Sequence, residues 1–204
     1  FVYFRLLEVL PAVVRSWWSG VADRQSSLAV ERFTERFCTP ALLARQMAAI
    51  DEGGLEHGSM KLRASRASRT VTASYALDGG SVSMEVALRL PATYPLHLVE
   101  IVDAGKRVGV SEQQWRRWLL SMTTVMSAQN GTGMDALLAW KLDVDKRFEG
   151  LEECAICYCV VQPVDRSLPK LPCKQCKHKF HAACLFKWFK SSNQSTCPLC
   201  RNIF

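Results

Sequence analysis

Apolar residues recur at helical spacing through residues 1–52. The first stripe predicts a helix with a kink at Pro11, and its members are Leu6, Leu7, Leu10, Val13 and Val14. A second helical stretch runs from Leu28 to Ile50 and is interrupted at Thr39-Pro40, where Pro40 suits the first turn of a new helix. These helices have no compact core of their own, so we expect them to be the trailing end of a larger helical array.

Between residues 60 and 102 the apolar period changes from helical to alternating, which predicts strands with one buried face. Every second residue is apolar in two successive runs: Val71, Ala73, Tyr75 and Leu77, then Val82, Met84, Val86, Leu88 and Leu90. Asp78-Gly79-Gly80 between the runs is typical of a hairpin turn. A third apolar run, Leu96 to Val102, follows the loop Pro91-Ala92-Thr93-Tyr94-Pro95.

Helical spacing returns after residue 110. Ser111 followed by Gln114 is typical of a capping box, and an apolar stripe follows at Trp115, Trp118, Leu119, Met122, Val125 and Met126. Asn130-Gly131 ends this helix, and the next helix carries Leu137, Trp140, Val144 and Phe148. Such aromatic stripes are typical of a core rather than of a binding site. Hairpin strands followed by helices predict an α+β fold.

Composition places the chain among globular proteins, because 49% of its 204 residues are hydrophobic and 22% are charged. The net charge of +7 is uneven: residues 1–150 hold 18 Lys/Arg against 16 Asp/Glu, and residues 151–204 hold 8 against 3. A basic segment of this kind fits either a solvated surface or an acidic partner.

The opening FVYFRLLEVLP contains Arg5, Glu8 and Pro11, so it predicts neither a membrane span nor a secretory signal. Its first residue, Phe1, suggests a fragment of a longer protein.

Eight residues with metal-binding side chains form four pairs, each with two residues between its members. The pairs are Cys154/Cys157, Cys173/Cys176, His181/Cys184 and Cys197/Cys200. This gap lets a tight turn aim two side chains at one ion, so four pairs predict two closed, structural zinc sites. Disulfides of a secreted module are the alternative, but the regular pairing favours zinc in a reducing compartment. The leftover Cys159 is predicted to be a thiol outside the metal sites.

Two segments resemble known families. The segment LRLPATYPLHLVEI resembles the strand-loop signature of RWD domains, which are relatives of the ubiquitin-conjugating fold. A conjugating enzyme needs a thioester cysteine, and residues 39–153 contain no cysteine, so this copy is expected to bind rather than to carry ubiquitin. The tail resembles a RING finger, since Trp188 stands four positions after Cys184 and the end reads CPLCR.

The order of these segments, with KLDVDKRFEG between them, resembles the RING-type ubiquitin ligases of ribosome-associated quality control over about residues 60–204. The resemblance implies three domains. Residues 1–52 would be the end of HEAT-like helical repeats, residues 53–149 an RWD-like α+β sandwich, and residues 150–204 a cross-brace RING finger.

The RING resemblance also implies how the zinc ligands divide, because RING pairs interleave. The first and third pairs, Cys154/Cys157 and His181/Cys184, would hold one ion, and the second and fourth, Cys173/Cys176 and Cys197/Cys200, would hold the other. Many RINGs use Cys-x-His as their second pair, which Cys176-Lys177-His178 offers. The uniform gap favours Cys173, and His178 stays the alternative ligand.

A RING ligase of this family implies no nucleophile on the chain. It binds a ubiquitin-charged conjugating enzyme and holds the donor ubiquitin in near-attack geometry. By the family pattern, Ile156, Trp188 and Pro198 would contact the conjugating enzyme, and Arg201 would link that enzyme to ubiquitin as the linchpin. Outside a RING, Trp188 would be plain core and Arg201 an ordinary surface charge. The alternatives are a PHD-like zinc reader and a scaffold RING without ligase activity.

The family further implies a cytosolic, ribosome-associated protein. Its expected partners are the large ribosomal subunit with a stalled peptidyl-tRNA nascent chain and other ribosome quality control factors, with no membrane. A basic cluster, defined as Lys61, Arg63, Arg66 and Arg69, fits ribosomal RNA contact. It fits a solvated strand edge equally well.

Overall fold

The computed structural model describes residues 1–53, 59–77, 80, 82–105 and 107–204. The chain begins with four helices: α1 (Val2–Val9), α2 (Pro11–Ser19), α3 (Arg24–Phe33) and α4 (Thr39–Gly53). The predicted kink at Pro11 is wrong, because the chain leaves helical geometry at Leu10 (φ −129°, ψ 51°) and Pro11 opens a separate helix. Proline lacks the N–H that a continuous helix needs and is accommodated well in a first turn.

The prediction that a new α-helix starts at Thr39-Pro40 is confirmed, since α4 begins at Thr39, but the predicted break is wrong, because the π-helical turn Thr34–Cys38 joins α3 to α4 with helical geometry throughout. Its wider hydrogen bond runs from the Thr39 N–H to the Thr34 carbonyl, and helical dihedrals persist on both sides. A π turn widens the helix just before Pro40, where the ring would crowd a regular α-helical turn.

A four-stranded antiparallel sheet follows in the order β1 (Met60–Ser65), β2 (Thr70–Leu77), β3 (Val82–Arg89) and β4 (Glu100–Asp103). The two predicted alternating runs form β2 and β3, which pair from Thr70 opposite Arg89 to Leu77 opposite Val82. The third apolar run is only partly a strand, since β4 starts at Glu100. Asp78 and Gly79 of the predicted turn lie outside the described residues.

Helices α5 (Glu112–Ala128) and α6 (Gly133–Phe148) pack together beside the sheet, and both were predicted. Their stripes supply fully buried Trp115, Met122 and Trp140 to the core shared with the strands. The Ser111 hydroxyl caps α5 by accepting the Gln114 N–H at 3.2 Å. We refer to residues 60–148 as the central unit.

The N-terminal helices dock on the central unit instead of forming a separate body. Their buried side chains, Leu7, Val14, Cys38, Leu42 and Met47, belong to the central core. The Arg15 guanidinium donates to the Pro95 carbonyl at 3.1 Å, and the Thr39 hydroxyl donates to the Tyr94 carbonyl at 2.5 Å. The loop that carried the RWD resemblance is therefore hydrogen-bonded by two of the N-terminal helices, α2 and α4.

The remaining residues, 150–204, form what we call the cysteine-rich unit. Its regular elements are a two-stranded ribbon, β5 (Leu171–Pro172) with β6 (Lys179–Phe180), and the helix α7 (Ala182–Ser192). Val161 and Leu168 of this unit are buried in the core of the central unit. No helix in the described part of the chain is long and apolar enough to cross a membrane.

Candidate metal centre and its groove

The eight predicted ligands converge into two groups of four. One group is Cys154, Cys157, His181 and Cys184, and the other is Cys173, Cys176, Cys197 and Cys200. Within each group the ligand atoms all lie within 4.8 Å of one another. The first pair thus meets the third and the second meets the fourth, which is the cross-brace interleaving expected of a RING.

The spacing of these atoms fits zinc and excludes disulfides. Zn–S bonds of about 2.3 Å in a tetrahedron place two sulfurs about 3.8 Å apart, and an S–N pair slightly closer. Here Cys173 Sγ lies 3.7 Å from Cys200 Sγ, and Cys157 Sγ lies 3.4 Å from His181 Nδ1. A disulfide needs sulfurs about 2.05 Å apart. With four donors each, both sites are closed, and the metal serves structure rather than catalysis.

A second layer of hydrogen bonds orients the ligands of the first site. The buried His181 turns Nδ1 toward the cysteines while Nε2–H donates to the Val160 carbonyl at 3.2 Å. That bond selects the tautomer with Nδ1 free for a metal. The His181 N–H also points at Cys154 Sγ, 3.5 Å away, and stabilises its thiolate.

Three of the ligand pairs lie on separate loops that have the same backbone conformation. In each, the N–H four residues after the first cysteine donates to that cysteine's carbonyl, from Tyr158, Lys177 and Arg201 at 2.7, 3.1 and 3.0 Å. These three residues all have φ near +60°, at 57°, 63° and 60°. A left-handed residue closes the tight turn that aims two thiols at one point, which explains the two-residue gap.

Backbone N–H groups also tune the thiols of the second site. The Asn202 N–H is the largest influence on Cys200, and with the neighbouring thiols it lowers the pKa of Cys200 to about 6 against the effect of burial. The His178 N–H lowers the pKa of Cys176 in the same group, but burial and the neighbouring thiols outweigh it and raise that pKa to about 12. Zinc binds thiolates, so binding of the metal releases the protons that the group still holds.

Two nearby candidates lie outside both groups. His178 is exposed and donates from Nδ1 to the Cys176 carbonyl at 3.1 Å, so the geometry favours Cys173 as the ligand of the second site. Cys159 directs its thiol to the Cys157 carbonyl at 3.3 Å and is not part of either group.

A shallow groove of about 600 Å³ runs beside the first metal group. It is lined by Ile156 from the first ligand loop and by Trp188 from α7, two of the predicted contacts for a conjugating enzyme. The Trp188 indole N–H donates to the Thr196 carbonyl at 2.9 Å, which fixes the ring against the last ligand loop. Trp188 is therefore neither plain core nor free surface, since it braces the unit and lines the groove.

The other two predicted contacts lie on the last ligand loop and do not line this groove. Pro198 is half-buried between Cys197 and Cys200, and Arg201 is exposed in its left-handed turn. Sequence reasoning missed a further part of the lining, Gln162, Val164 and Asp165. Only the polar, turn-rich composition of QPVDRS between two ligand pairs could have drawn attention to it.

Three family models match successive parts of the chain. They are the LTN1 family HEAT repeat region at residues 1–51, the ubiquitin conjugating domain-like family at residues 60–147, and the ring finger domain at residues 152–201. The predicted fold class, with helices, an α+β sheet unit and a RING, is confirmed. The ring finger match also selects a RING over the PHD alternative.

Relatives align along nearly the whole chain, and the three described next are all named E3 ubiquitin-protein ligase listerin. The Gallus gallus protein is 44% identical and the Schizosaccharomyces pombe protein 42% identical, each over 100% of this chain. The Saccharomyces cerevisiae protein is 36% identical over 98% of it. The chain covers 11%, 13% and 13% of these relatives, respectively. Over its whole length, the chain is homologous to one segment of the listerin ubiquitin ligases.

Proposed function

We propose that this chain is the catalytic part of a RING-type ubiquitin ligase. It binds a ubiquitin-charged conjugating enzyme and promotes transfer of ubiquitin to substrate lysines, without forming a covalent intermediate itself. The observation that carries this function is the groove lined by Ile156 and Trp188, which lies beside a cross-brace metal group in a segment that matches the ring finger model. The listerin relatives are named E3 ubiquitin-protein ligases.

The mechanism is positional. Neither cysteine in the groove lining is free to carry ubiquitin as a thioester, because Cys157 and Cys184 belong to the first metal group. Zinc, when bound, supplies the fixed framework, and Ile156 and Trp188 supply apolar contact to the conjugating enzyme. Holding enzyme, donor ubiquitin and acceptor lysine together removes the entropic cost of their encounter.

Arg201 acts on the donor ubiquitin rather than on the groove. Arg201 is exposed and has a left-handed backbone at the end of the last ligand loop. Five N–H donors in a planar fork suit simultaneous hydrogen bonds to carbonyls of two proteins. Arg201→Ala is therefore expected to lower ubiquitin discharge more than it lowers affinity for the conjugating enzyme.

Substitutions in the groove test the ligase function. Ile156→Ala or Trp188→Ala should reduce autoubiquitination at least about tenfold with every conjugating enzyme, because buried interface anchors carry most binding energy. The matched control is Phe186→Ala on the same helix, because Phe186 is 72% exposed and outside the groove lining, and it should retain activity. Zinc content of two ions per chain verifies folding in each variant.

Full activity of Ile156→Ala and Trp188→Ala with a panel of conjugating enzymes would contradict the assignment. An inactive wild-type chain that still holds two zinc ions would favour the scaffold role instead.

For the whole protein, we propose a cytosolic, ribosome-associated ligase that acts on stalled nascent chains at the large ribosomal subunit. The central unit is assigned to the RWD type and docks the RING near its substrate. It has no cysteine for a thioester, and its basic cluster lies on the edge strand β1 and the turn that follows. A ubiquitination reaction that contains large ribosomal subunits carrying a stalled nascent chain tests the proposed ribosomal role. An active ligase that leaves the nascent chain unmodified contradicts it.

A further inference from the structure

The loop of residues 162–167 borders the groove without holding either metal group. Three of its residues, Gln162, Val164 and Asp165, line the groove together with Ile156 and Trp188. Val164 is 86% exposed. One exposed apolar side chain is ordinary on a protein surface. Here it adjoins an apolar groove floor, and continuous apolar area of that kind marks an interaction surface.

The loop is ordered by its own hydrogen bonds before any partner binds. The Gln162 side-chain carbonyl accepts the N–H groups of Val164 and Asp165, the latter at 2.8 Å. The Gln162 N–H donates to the Ser167 carbonyl at 2.9 Å, and the Arg166 N–H donates to the Gln162 carbonyl at 2.9 Å. A pre-ordered loop loses little conformational entropy on binding, so its contacts add to affinity more fully.

Both ends of the loop are anchored in the neighbouring unit. Val161 and Leu168 are buried in the core of the central unit, where Leu168 lies against Gly109. The Arg147 guanidinium donates to the Gly109 carbonyl at 3.1 Å and secures that point of contact. The position of Val164 and Asp165 at the groove is therefore set by the central unit as well as by the RING.

Among the residues that line the groove, Lys187 of α7 is the one cation, and the negative charge comes from Asp165. Asp165 is the one carboxylate among the lining residues, whereas residues 151–204 hold 8 Lys/Arg against 3 Asp/Glu. Hydrogen bonds with Ser167 lower the pKa of Asp165, so it is ionised at neutral pH. In the part of the chain that the structure describes, no lysine or arginine forms an ion pair with it.

We propose that Val164 and Asp165 form a second contact for the conjugating enzyme and determine which conjugating enzymes are accepted. This inference rests on the proposed ligase function. The enzymes selected are those that present a lysine or arginine beside the apolar side chain that enters the groove. A cation opposite Asp165 gains an ion pair at the rim, and an anion there is repelled.

Reversing the charge of Asp165 tests whether this residue selects among conjugating enzymes. The measurement is the Kd of the whole chain for a panel of conjugating enzymes that differ in charge beside the groove-binding side chain. Asp165→Lys should weaken binding of basic members about tenfold at low salt and less at high salt. It should strengthen binding of acidic members. Val164→Ser should weaken all members.

The matched control is Glu152→Lys. Glu152 lies in the same unit, is exposed outside the groove lining and has Lys179 at 4.0 Å, so its substitution makes the same change in net charge. It should leave every Kd within about twofold, as expected for a surface charge away from the contact. Two zinc ions per chain verify that each variant is folded.

Equal effects of Asp165→Lys and Glu152→Lys across the panel would overturn the inference. In that case loss of ubiquitin transfer in Trp188→Ala would still leave the ligase function standing. Retention of transfer in Trp188→Ala would instead remove the ligase function itself, so the two failures are distinguishable.

Discussion

The central unit and the cysteine-rich unit are held together by different interactions. The first buries large apolar side chains between a sheet and two helices, among them Trp115, Trp140 and Leu88. In the second, three of the five buried core residues are cysteines, and the other two are Phe180 and Leu185. A segment of this size buries too little apolar surface to fold on its own, so metal coordination supplies the missing free energy.

This difference determines where each unit can place a functional surface. A unit that depends on apolar burial needs its large side chains inside. A unit organised by metal can leave Ile156 and Trp188 beside an open groove, because Ile156 lies between the ligands Cys154 and Cys157 and Trp188 follows the ligand Cys184 by four positions. Under the proposed function, the RING presents this shallow apolar surface to the conjugating enzyme, and the central unit packs against the loop beside it.

Removal of zinc should have the largest effect and should separate the two units. Structural zinc contributes on the order of 10 kcal/mol of apparent binding energy coupled to folding, comparable to the whole stability of a domain. With a chelator, we expect amides in residues 154–204 to lose protection from hydrogen exchange, while β2 and β3 keep theirs. Unchanged protection in residues 154–204, with metal analysis showing no zinc, would mean that the cysteine-rich unit does not depend on metal for its folding.

A substitution in the core of the central unit should test apolar burial, as removal of zinc tests metal coordination. Leu88→Ala removes a side chain that is 1% exposed on β3 and should cost about 2–5 kcal/mol of unfolding free energy. Leu120→Ala on α5 is the matched control, because Leu120 is 65% exposed and its loss should cost less than about 0.5 kcal/mol. Chemical denaturation in saturating zinc measures both variants. Equal costs would show that Leu88 is not part of the stabilising core.

The features predicted from sequence are those set by short-range spacing. Alternating apolar residues identified β2 and β3, because side chains alternate between the faces of a strand whatever surrounds it. The Cys-x-x-Cys gaps located the metal loops for a similar reason, since the turn that joins two ligands lies within the motif. The interleaving of the pairs followed from the family resemblance.

The features that were not predicted depend on contacts between distant segments. The π turn before Pro40 keeps the backbone helical from α3 into α4, although the proline alone indicated a break. The packing of Leu168 on Gly109 joins residues far apart in the chain, and neither position is unusual in its local pattern. The groove wall at Val164 and Asp165 is a consequence of that packing, so periodicity could not reveal it.

A smaller loss of stability is expected from Gly109→Ala, at the contact between the two units. Its φ of +65° disfavours a side chain, and a Cβ there would lie 3.0 Å from Leu168. Gly105→Ala is a matched control, because Gly105 has φ +70° and nothing within 4 Å of the added atom. Each substitution should cost about 1–2 kcal/mol for the left-handed backbone.

Gly109→Ala should cost roughly 1 kcal/mol more than Gly105→Ala, since Leu168 is displaced from well-packed surroundings. Hydrogen exchange should then increase in residues 160–170 in Gly109→Ala alone, with both zinc ions retained. Equal exchange in the two variants would mean that the metal framework by itself holds this loop. The cysteine-rich unit would then position its groove without support from the central unit.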